Sequence, residues 1–489
     1  ATTRLRGIMI RTMQRRVTDY ALYRWRYQIG YLFIALTILL IIAIAALYVP
    51  GGLRQGEMQS AITSGGLSLQ SLDPEMVINL PYHALQRLSI WAFGVTTFSI
   101  KLPSIFLGVL TVIGIFVLIR TWFRRNVAVL GTILAVTTTQ FLFLIQDGTP
   151  AIAYSFVTIW LLAAGTYITR RRLFGTFWKV LGCVLLASLF YIPLGPYFVV
   201  AACLIIAFHP HIRYVLRKVS RPKIILSVVL GLLSVAPLVY AIIIKPSIAL
   251  TLLGIPTGPI DLWQNVTTVG KDIFGFLLTS NDYLLRPVYS LGVILLMLIG
   301  IYKLLTVKHT ARSYIVILLS IMIIPLVILD PNALTYLFPM ATLLISMGIA
   351  TMISHWYKRF PRNPYARVAG LIPLAVLVVG IVFSGVARYV DNYIYNPNVL
   401  SFYNNDLRLL DRTLSSRFSQ PDSAVLVTTP EESPFYALVA HYDKRFSVSQ
   451  EADDPGALIL THDAYVSKKP SDRTPSLIVT SRKANDSDR

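Results

Sequence analysis

Charge is what this chain has least of. Only 14% of its 489 residues are charged, where a soluble domain carries roughly 25%. Acids are the scarcer sign, 23 Asp and Glu against 44 Lys and Arg. That balance, with a mean hydropathy of +0.64, excludes an ordinary soluble globular chain. Cysteine is nearly absent. Cys183 and Cys203 both lie in apolar runs, which excludes a disulfide framework or a cysteine metal cluster and leaves the redox compartment undecided. A short apolar run ending at a small-residue cleavage site is also lacking. The first apolar run, 29–49, therefore reads as a retained span rather than a signal peptide.

What is present is hydrophobic length. Apolar residues make up 55% of the chain and come in runs of about 20, enough at about 1.5 Å per residue to cross a hydrocarbon core of about 30 Å. Spans are expected near 29–49, 102–121, 127–145, 150–169, 176–193, 195–209, 224–244, 288–305, 313–329, 334–353 and 367–387. The net charge of +21 is not spread as a nucleic-acid footprint. It collects in short segments at alternate span ends: Arg4, Arg6, Arg11, Arg15, Arg16, Arg24 and Arg26, then Arg120/Arg124/Arg125, Arg170/Arg171/Arg172, Arg213/Arg217/Lys218/Arg221/Lys223, Lys303/Lys308/Arg312 and Lys358/Arg359/Arg362/Arg367. This is the positive-inside pattern of a multi-pass protein beside anionic lipid. It sets the N-terminus in the cytoplasm, and about eleven spans then set the C-terminus outside.

The expected organisation is a basic segment 1–28, a membrane domain 29–387 and an outer α/β domain 388–489. In that domain AVLVTT (424–429), FSV (446–448), ALILTH (457–462) and SLIVTS (476–481) read as strands, with PEESPFYALVAHY as a helix after the first. The last residues, KANDSDR, read as disordered. Two outer loops are long, 50–101 and 245–287. Long loops in compact proteins are functional or disordered. The first contains LPYHALQRLSIWAFG, which has helical apolar spacing but is too short to span, and so is expected to lie in the membrane interface. Asn265-Val-Thr is a glycosylation sequon, of consequence only in a eukaryotic host.

Chemistry has few places to sit. The acids near outer span ends are Glu57, Asp73, Glu75, Asp147, Asp261, Asp272, Asp282 and Asp330. Asp147 lies in IQDGTP, a very short turn between two spans. A carboxylate held there is either functional or a cap for the helix after Pro150. Glu57, alone, is an ordinary loop acid.

Several stretches resemble GT-C glycosyltransferases of the family 39 and aminoarabinose-transferase type. Gly56-Glu57-Met58-Gln59-Ser60-Ala61 stands where that family shows an Asp-Glu pair opening a small-residue helix. LPYHALQRLSIWAFG resembles its interfacial helix ending in Phe-Gly. Lys101-Leu102-Pro103-Ser104 with Gly108 resembles its Arg-Leu-Pro-Ser approach to the second span, and Gln146-Asp147-Gly148-Thr149-Pro150 its next outer turn. Further on, SNDYLLRPVYSLGVILLMLIG (280–300) and PNALTYLFPMATLLISMGIA (331–350) resemble family stretches that carry an acid, an Arg-Pro, and a Pro-His-Ala-Leu-Arg turn. Three family residues are replaced: the first acid by Gly56, and the downstream His and Arg by Asn332 and Thr335.

The resemblance implies an enzyme with about eleven membrane helices that transfers a sugar from a polyprenyl-phosphate donor to a glycan, lipid or protein acceptor. The leaving phosphate needs no general acid. The reaction needs a base for the acceptor hydroxyl and positive charge for the phosphate. Glu57 or Asp147 is the expected base, with inversion by analogy to inverting glycosidases. Arg54, Arg87, Lys101 and Arg286 are the phosphate-binding candidates, and arginine suits bidentate contact better than lysine. Tyr82, His83, Trp91, Asp282 and Asn332 are the candidate groove. For Arg87 and Lys101 the plain alternative is interface snorkelling, and for Tyr82, Trp91 and Phe93 the aromatic belt. No cofactor is indicated with certainty. His83 with the acids is the one arrangement that suggests a divalent metal, against a simple polar-face histidine. A non-catalytic GT-C-like scaffold fits the replaced residues. A transporter or flippase fits worse, since there is no inverted repeat and almost no intramembrane charge.

Overall fold

The computed structural model describes residues 21–67, 73–170, 175–217, 221–255, 260–276, 283–306, 310–360, 364–417, 424–450, 457–468 and 477–478. The arginines before residue 20, Asp282 and the tail after 478 lie outside these residues. The chain divides into two units, Ala1–Ile44 and Ala45–Arg489. The first holds most of the apolar helix Ala21–Leu47.

Among the described residues seven helices are long and apolar enough to cross a bilayer: Gln28–Leu47, Thr97–Trp122, Ala151–Thr169, Ile224–Ile244, Arg312–Leu329, Pro331–Arg359 and Leu371–Tyr395. An eighth span is broken, with Arg125–Val136 and Thr139–Gln146 meeting at a bend of 64°. The three remaining expected spans are shorter apolar helices, Gly175–Leu189, Gly195–Phe208 and Leu291–Thr306. At about 1.5 Å per residue, 14 to 16 residues fall short of the hydrocarbon core when straight. Every expected span thus has a helix, but length supports a crossing for seven or eight.

The bend has a local cause. Thr137, Thr138 and Thr139 follow one another. The Thr137 hydroxyl bonds back to the Ile133 carbonyl at 2.9 Å, and the Thr138 hydroxyl accepts from the Phe141 amide as a new N-cap. Elsewhere the bundle closes through small residues. A Cβ on Gly300 would come within 2.3 Å of the Leu344 carbonyl oxygen, and one on Gly348 within 2.1 Å of that of Leu296. Helices Leu291–Thr306 and Phe338–Arg359 therefore touch backbone to backbone.

The long loops are structured. The first contains helices Gln55–Gly66 and Leu80–Phe93. The second helix opens on left-handed Asn79 (φ 56°) with Pro81 in its first turn, and buries Tyr82, His83, Gln86, Ser89 and Ile90 along one face. Leu88, Trp91 and Phe93 stay exposed, as on an interfacial helix. The second loop contains Leu262–Phe274, an amphipathic helix the sequence reading passed over as loop. In it, the Asn265 side chain donates to the Leu329 carbonyl at 3.0 Å.

The last long helix continues to Tyr395 rather than ending at 387. Beyond it the expected strands form a parallel sheet, β1 (Ala424–Val427), β2 (Phe446–Ser449), β3 (Ala457–Leu460) and β4 (Leu477–Ile478), in the order β2-β1-β3-β4. Ser433–Tyr442 joins β1 to β2. This sheet does not own a separate core. Leu426, Phe435, Phe446 and Ile459 pack in one cluster with Leu53, Met58, Ala61, Ile90 and Ile100 of the first loop and its neighbouring helix. Leu53 also pairs with Asn405 as an antiparallel bridge.

Candidate functional site

Glu57 and Asp147 converge at the loop end of the bundle, 0% and 1% exposed. Their elements explain the meeting. Helix Gln55–Gly66 carries Glu57 in its first turn, and the broken span delivers Asp147 as the C-cap of Thr139–Gln146. Glu57 Oε1 accepts from the Gly148 amide at 2.6 Å, and Oε2 from the Arg54 amide at 2.9 Å. The two acids are thus tied through the residue that follows Asp147. Gly148 has to be small, because a Cβ there would sit 2.9 Å from Ile100 Cγ2 and 3.2 Å from Glu57 Oε1.

Two cations neutralise the pair. Arg54 Nη2 donates to Asp147 Oδ1 at 3.0 Å and Oδ2 at 3.1 Å, while its guanidinium lies 4.2 Å from the centroid of the Tyr283 ring. Lys101 Nζ lies 3.5 Å from Glu57 Oε1 and donates to Gln146 Oε1 at 3.2 Å. Lys101 is 1% exposed. The helix begins at Thr97, where Thr96 and Ser99 form a capping box, rather than at 102, so Lys101 falls in its second turn and faces inward.

The electrostatics follow from burial. Burial raises the Glu57 carboxyl above its ordinary value, Lys101 opposes this, and Asp147 adds to it. For Arg54, burial works against the charge, but Asp147, Tyr403 and Glu57 outweigh it and raise the guanidinium. Burial also raises the Tyr403 phenol, with Asp147 and Glu57 adding to it. Burial lowers His83 to about 4, so it is neutral at physiological pH.

A buried polar network supports these groups. Gln86 Nε2 donates to the Ile100 and Gly148 carbonyls, both at 2.9 Å, and its Oε1 accepts from Ser60 at 2.8 Å and Ser64 at 2.6 Å. Ser104 donates to the Asp147 carbonyl at 2.7 Å and meets the Tyr82 hydroxyl at 2.8 Å. Gln146 Nε2 donates to the Tyr403 hydroxyl at 3.0 Å. A cavity of about 100 Å³ lies beside Tyr82, lined by Leu85, Leu107, Val157, Ile192 and the Asn79 side chain. Among the described residues, the buried Asn79 Oδ1 has no hydrogen-bond partner.

The other expected residues are distributed differently. Tyr82 joins the network through Ser104. His83 Nδ1 meets the Ser64 hydroxyl at 2.8 Å, and among the described residues no three His, Cys, Asp or Glu side chains are grouped to hold a metal. Arg87 is half-buried and donates to the Gly65 carbonyl at 2.5 Å. Arg286 pairs with Asp272. Trp91 is 73% exposed and does not join the cluster. Asn332 is exposed and accepts from the Tyr283 hydroxyl at 3.4 Å. Of the remaining acids, Asp73, Asp261 and Asp330 cap helices and Glu75 pairs with Lys245. Sequence reasoning passed over Gln86, Ser104, Gln146, Tyr283 and Tyr403. Gln86 was within reach, one turn beyond Tyr82 and His83 on the same helix face.

Residues 81–240 match the family described as dolichyl-phosphate-mannose-protein mannosyltransferase. The structure is similar to that of ArnT from Cupriavidus metallidurans in the apo state, with a TM-score of 0.53 and 13% identity over 91% of this chain and 95% of that one. The chain has the GT-C glycosyltransferase fold. ArnT bound to undecaprenyl phosphate is similar to the same extent, with a TM-score of 0.52 and 12% identity over the same shares. The Archaeoglobus fulgidus oligosaccharyltransferase tethered to an acceptor peptide containing the NVT sequon shares the GT-C fold with a TM-score of 0.51 and 12% identity, over 86% of this chain. This chain spans 64% of that oligosaccharyltransferase's length. No curated protein matches by sequence.

Proposed function

We propose that this GT-C protein transfers a sugar from a polyprenyl-phosphate-linked donor to an acceptor hydroxyl at the extracytoplasmic face of the cell membrane, with inversion. One observation carries the reading: two buried carboxylates, Glu57 and Asp147, meet beside a partly exposed arginine, Arg54, at the loop end of a GT-C bundle. The known binding of undecaprenyl phosphate by ArnT, a protein of this fold, supports the donor class. The alternation of basic clusters supports a cytoplasmic N-terminus, an outer site and an outer C-terminal domain.

Asp147 is the base in this reading. Its partner Arg54 is 17% exposed and so lies on the open side of the pair, whereas Glu57 is held by two backbone amides and Lys101. Glu57 orients the Asp147 turn through the Gly148 amide. Asp147 takes the proton of the acceptor hydroxyl as its oxygen attacks the anomeric carbon. The bond from that carbon to the phosphate oxygen breaks on the opposite face, and the polyprenyl phosphate leaves as an anion beside Arg54. The apolar cavity next to Tyr82 lies close enough to take part of the lipid chain. Lys101, enclosed on all sides, serves Glu57 rather than the phosphate, and Arg286, bound to Asp272, is left to position its own loop.

The test is transfer from a polyprenyl-phosphate sugar by purified protein. Asp147→Asn is expected to lower kcat by roughly 10²–10⁴-fold, the range for loss of a general base, and Glu57→Gln by less. Full activity in both variants sinks the assignment. The competing scaffold reading rests on Gly56, Asn332 and Thr335 in place of family residues. It requires that the unaltered protein consume no donor under any condition.

A further inference from the structure

The C-terminal sheet has a feature that the site above does not use. Its strands are parallel and ordered β2-β1-β3-β4. The chain leaves β1 toward one edge and β3 toward the other, so the carboxyl ends of β1 and β3 flank a crevice. In open parallel sheets that reversal point is where ligands bind. The residues at this crevice are Thr428 and Thr429 after β1, Glu432 before helix Ser433–Tyr442, and Thr461 after β3.

Two polar atoms there are unaccounted for. Glu432 is 4% exposed; its Oε2 accepts from Thr461 at 2.7 Å and Thr429 at 3.2 Å, but among the described residues its Oε1 has no partner. Thr428 is 0% exposed and its hydroxyl has no partner either. A buried carboxylate oxygen and a buried hydroxyl left unpaired are each destabilising, so two at one crevice call for an explanation. The charge decides the chemistry. Glu431, Glu432 and Asp463 make the crevice acidic, which disfavours the phosphate such crevices usually hold. A carboxylate acceptor beside a threonine hydroxyl suits ligand hydroxyl groups, which both donate and accept.

Position supplies the rest. Gln55 Nε2 reaches Glu431 Oε2 at 3.4 Å, and Gln55 stands between Arg54 and Glu57 on the site's own helix. Tyr436, on the helix that follows Glu432, donates to Asn405 at 3.0 Å, and Asn405 pairs with Leu53 next to Arg54. The crevice therefore abuts the segment that carries Arg54 and Glu57, the cation and the carboxylate that orients the Asp147 turn.

We propose that the β1–β3 crevice is a carbohydrate-binding subsite, in which Glu432 Oε1 and the Thr428 hydroxyl bond the hydroxyls of a neutral glycan acceptor. Its assignment to the acceptor rests on the transferase reading above; the sugar chemistry of the crevice does not. Both atoms are shut off from solvent, so the turn from Thr428 to Glu432 opens to admit the ligand.

The test reads binding apart from turnover. Full-length Asp147→Asn protein in lipid nanodiscs is given millimolar mannotriose, maltotriose or triacetylchitotriose, and amide hydrogen exchange is followed. At least one sugar is expected to slow exchange at least tenfold at residues 428–432 and 461–463. Thr428→Val and Glu432→Gln, added singly, are expected to weaken that sugar's affinity at least tenfold without lowering the thermal midpoint. No protection by any of the three sugars overturns the proposal, as does equal protection in both variants, or protection by calcium alone. If a variant fails to fold, the protection map of the parent protein decides. Protection at the crevice, together with an unaltered protein that never consumes donor, would refute the transferase reading and leave the sugar site standing.

Discussion

Replacing Lys101 by methionine tests the electrostatic account of the site most directly. Methionine keeps the length and apolar stem of the side chain and removes its charge. In the parent, Nζ lies 3.5 Å from Glu57 Oε1, and the two residues are 1% and 0% exposed. At an effective dielectric of about 20 that separation is worth about 5 kcal/mol. Removing one partner of a buried ion pair costs about 3–5 kcal/mol by mutation. Either figure is a large share of the 5–15 kcal/mol or so that holds a typical domain folded. Lys101→Met is therefore expected to lower the thermal midpoint in detergent sharply, while Glu57→Gln/Lys101→Met, which removes both charges, recovers most of the loss. The pH dependence gives a second reading. Burial raises Glu57 above its ordinary value of 4.5, so the folded chain holds that proton more tightly than the unfolded one. The stabilisation from the protonated carboxyl is complete below about 4.5 and fades as pH rises through the raised folded value. Lys101 opposes the raising, so its loss pushes the window upward and makes the variant relatively most stable in acid. A Lys101→Met protein as stable as the parent at pH 7, or a double variant no better than the single one, would refute the reasoning.

Three further outcomes are expected. Arg54→Ala should raise the KM for donor at least tenfold and lower the melting point as well, since Asp147 loses charge-assisted bonds worth about 1.5–3 kcal/mol each; steady-state kinetics with Arg54→Lys as a partial rescue checks it. His83 is lowered from 6.5 to about 4, so its contribution is complete above about 6.5 and lost as pH falls through 4, about 3 kcal/mol in all. His83→Gln should flatten that acid limb in a pH series of denaturation curves. Gly148→Ala should cost about 1–3 kcal/mol by overpacking against Ile100 and Glu57, and should depress transfer more than donor binding, which a comparison of kcat with donor KM will show.

The membrane architecture was legible because hydropathy and charge placement are written locally. Each apolar run became a helix near its expected limits, and the four short strand-like runs of the tail became the four strands. Two of the three short helices also lie within three residues of their expected limits, 195–209 as Gly195–Phe208 and 288–305 as Leu291–Thr306, while the third stops at Leu189 rather than 193. Glu57 and Asp147 were found through their motifs, and the structure brings them together. Lys101 and Arg87 read as cations for phosphate or for snorkelling at the interface, since a lysine in a short polar stretch carries no sign of which way its helix will turn it. The cap at Thr96 decided that. Tyr283 and Tyr403 were out of reach for another reason. They meet Arg54 and Gln146 from more than 200 residues away, and no spacing within either segment announces the meeting.

That distance has a bearing on how the protein comes into being. Gln146 is fixed by Tyr403, and Leu53, next to Arg54, is fixed by Asn405. A ribosome delivers the N-terminal half of this chain to the membrane well before residue 403 exists, and domains mature as they emerge. The acids and cations of the loop end must wait, unassembled, until the final helix has been threaded and the chain has come back to meet them. A fragment arrested before Tyr403 would hold both carboxylates yet lack the clasp that Tyr403 and Asn405 close around them.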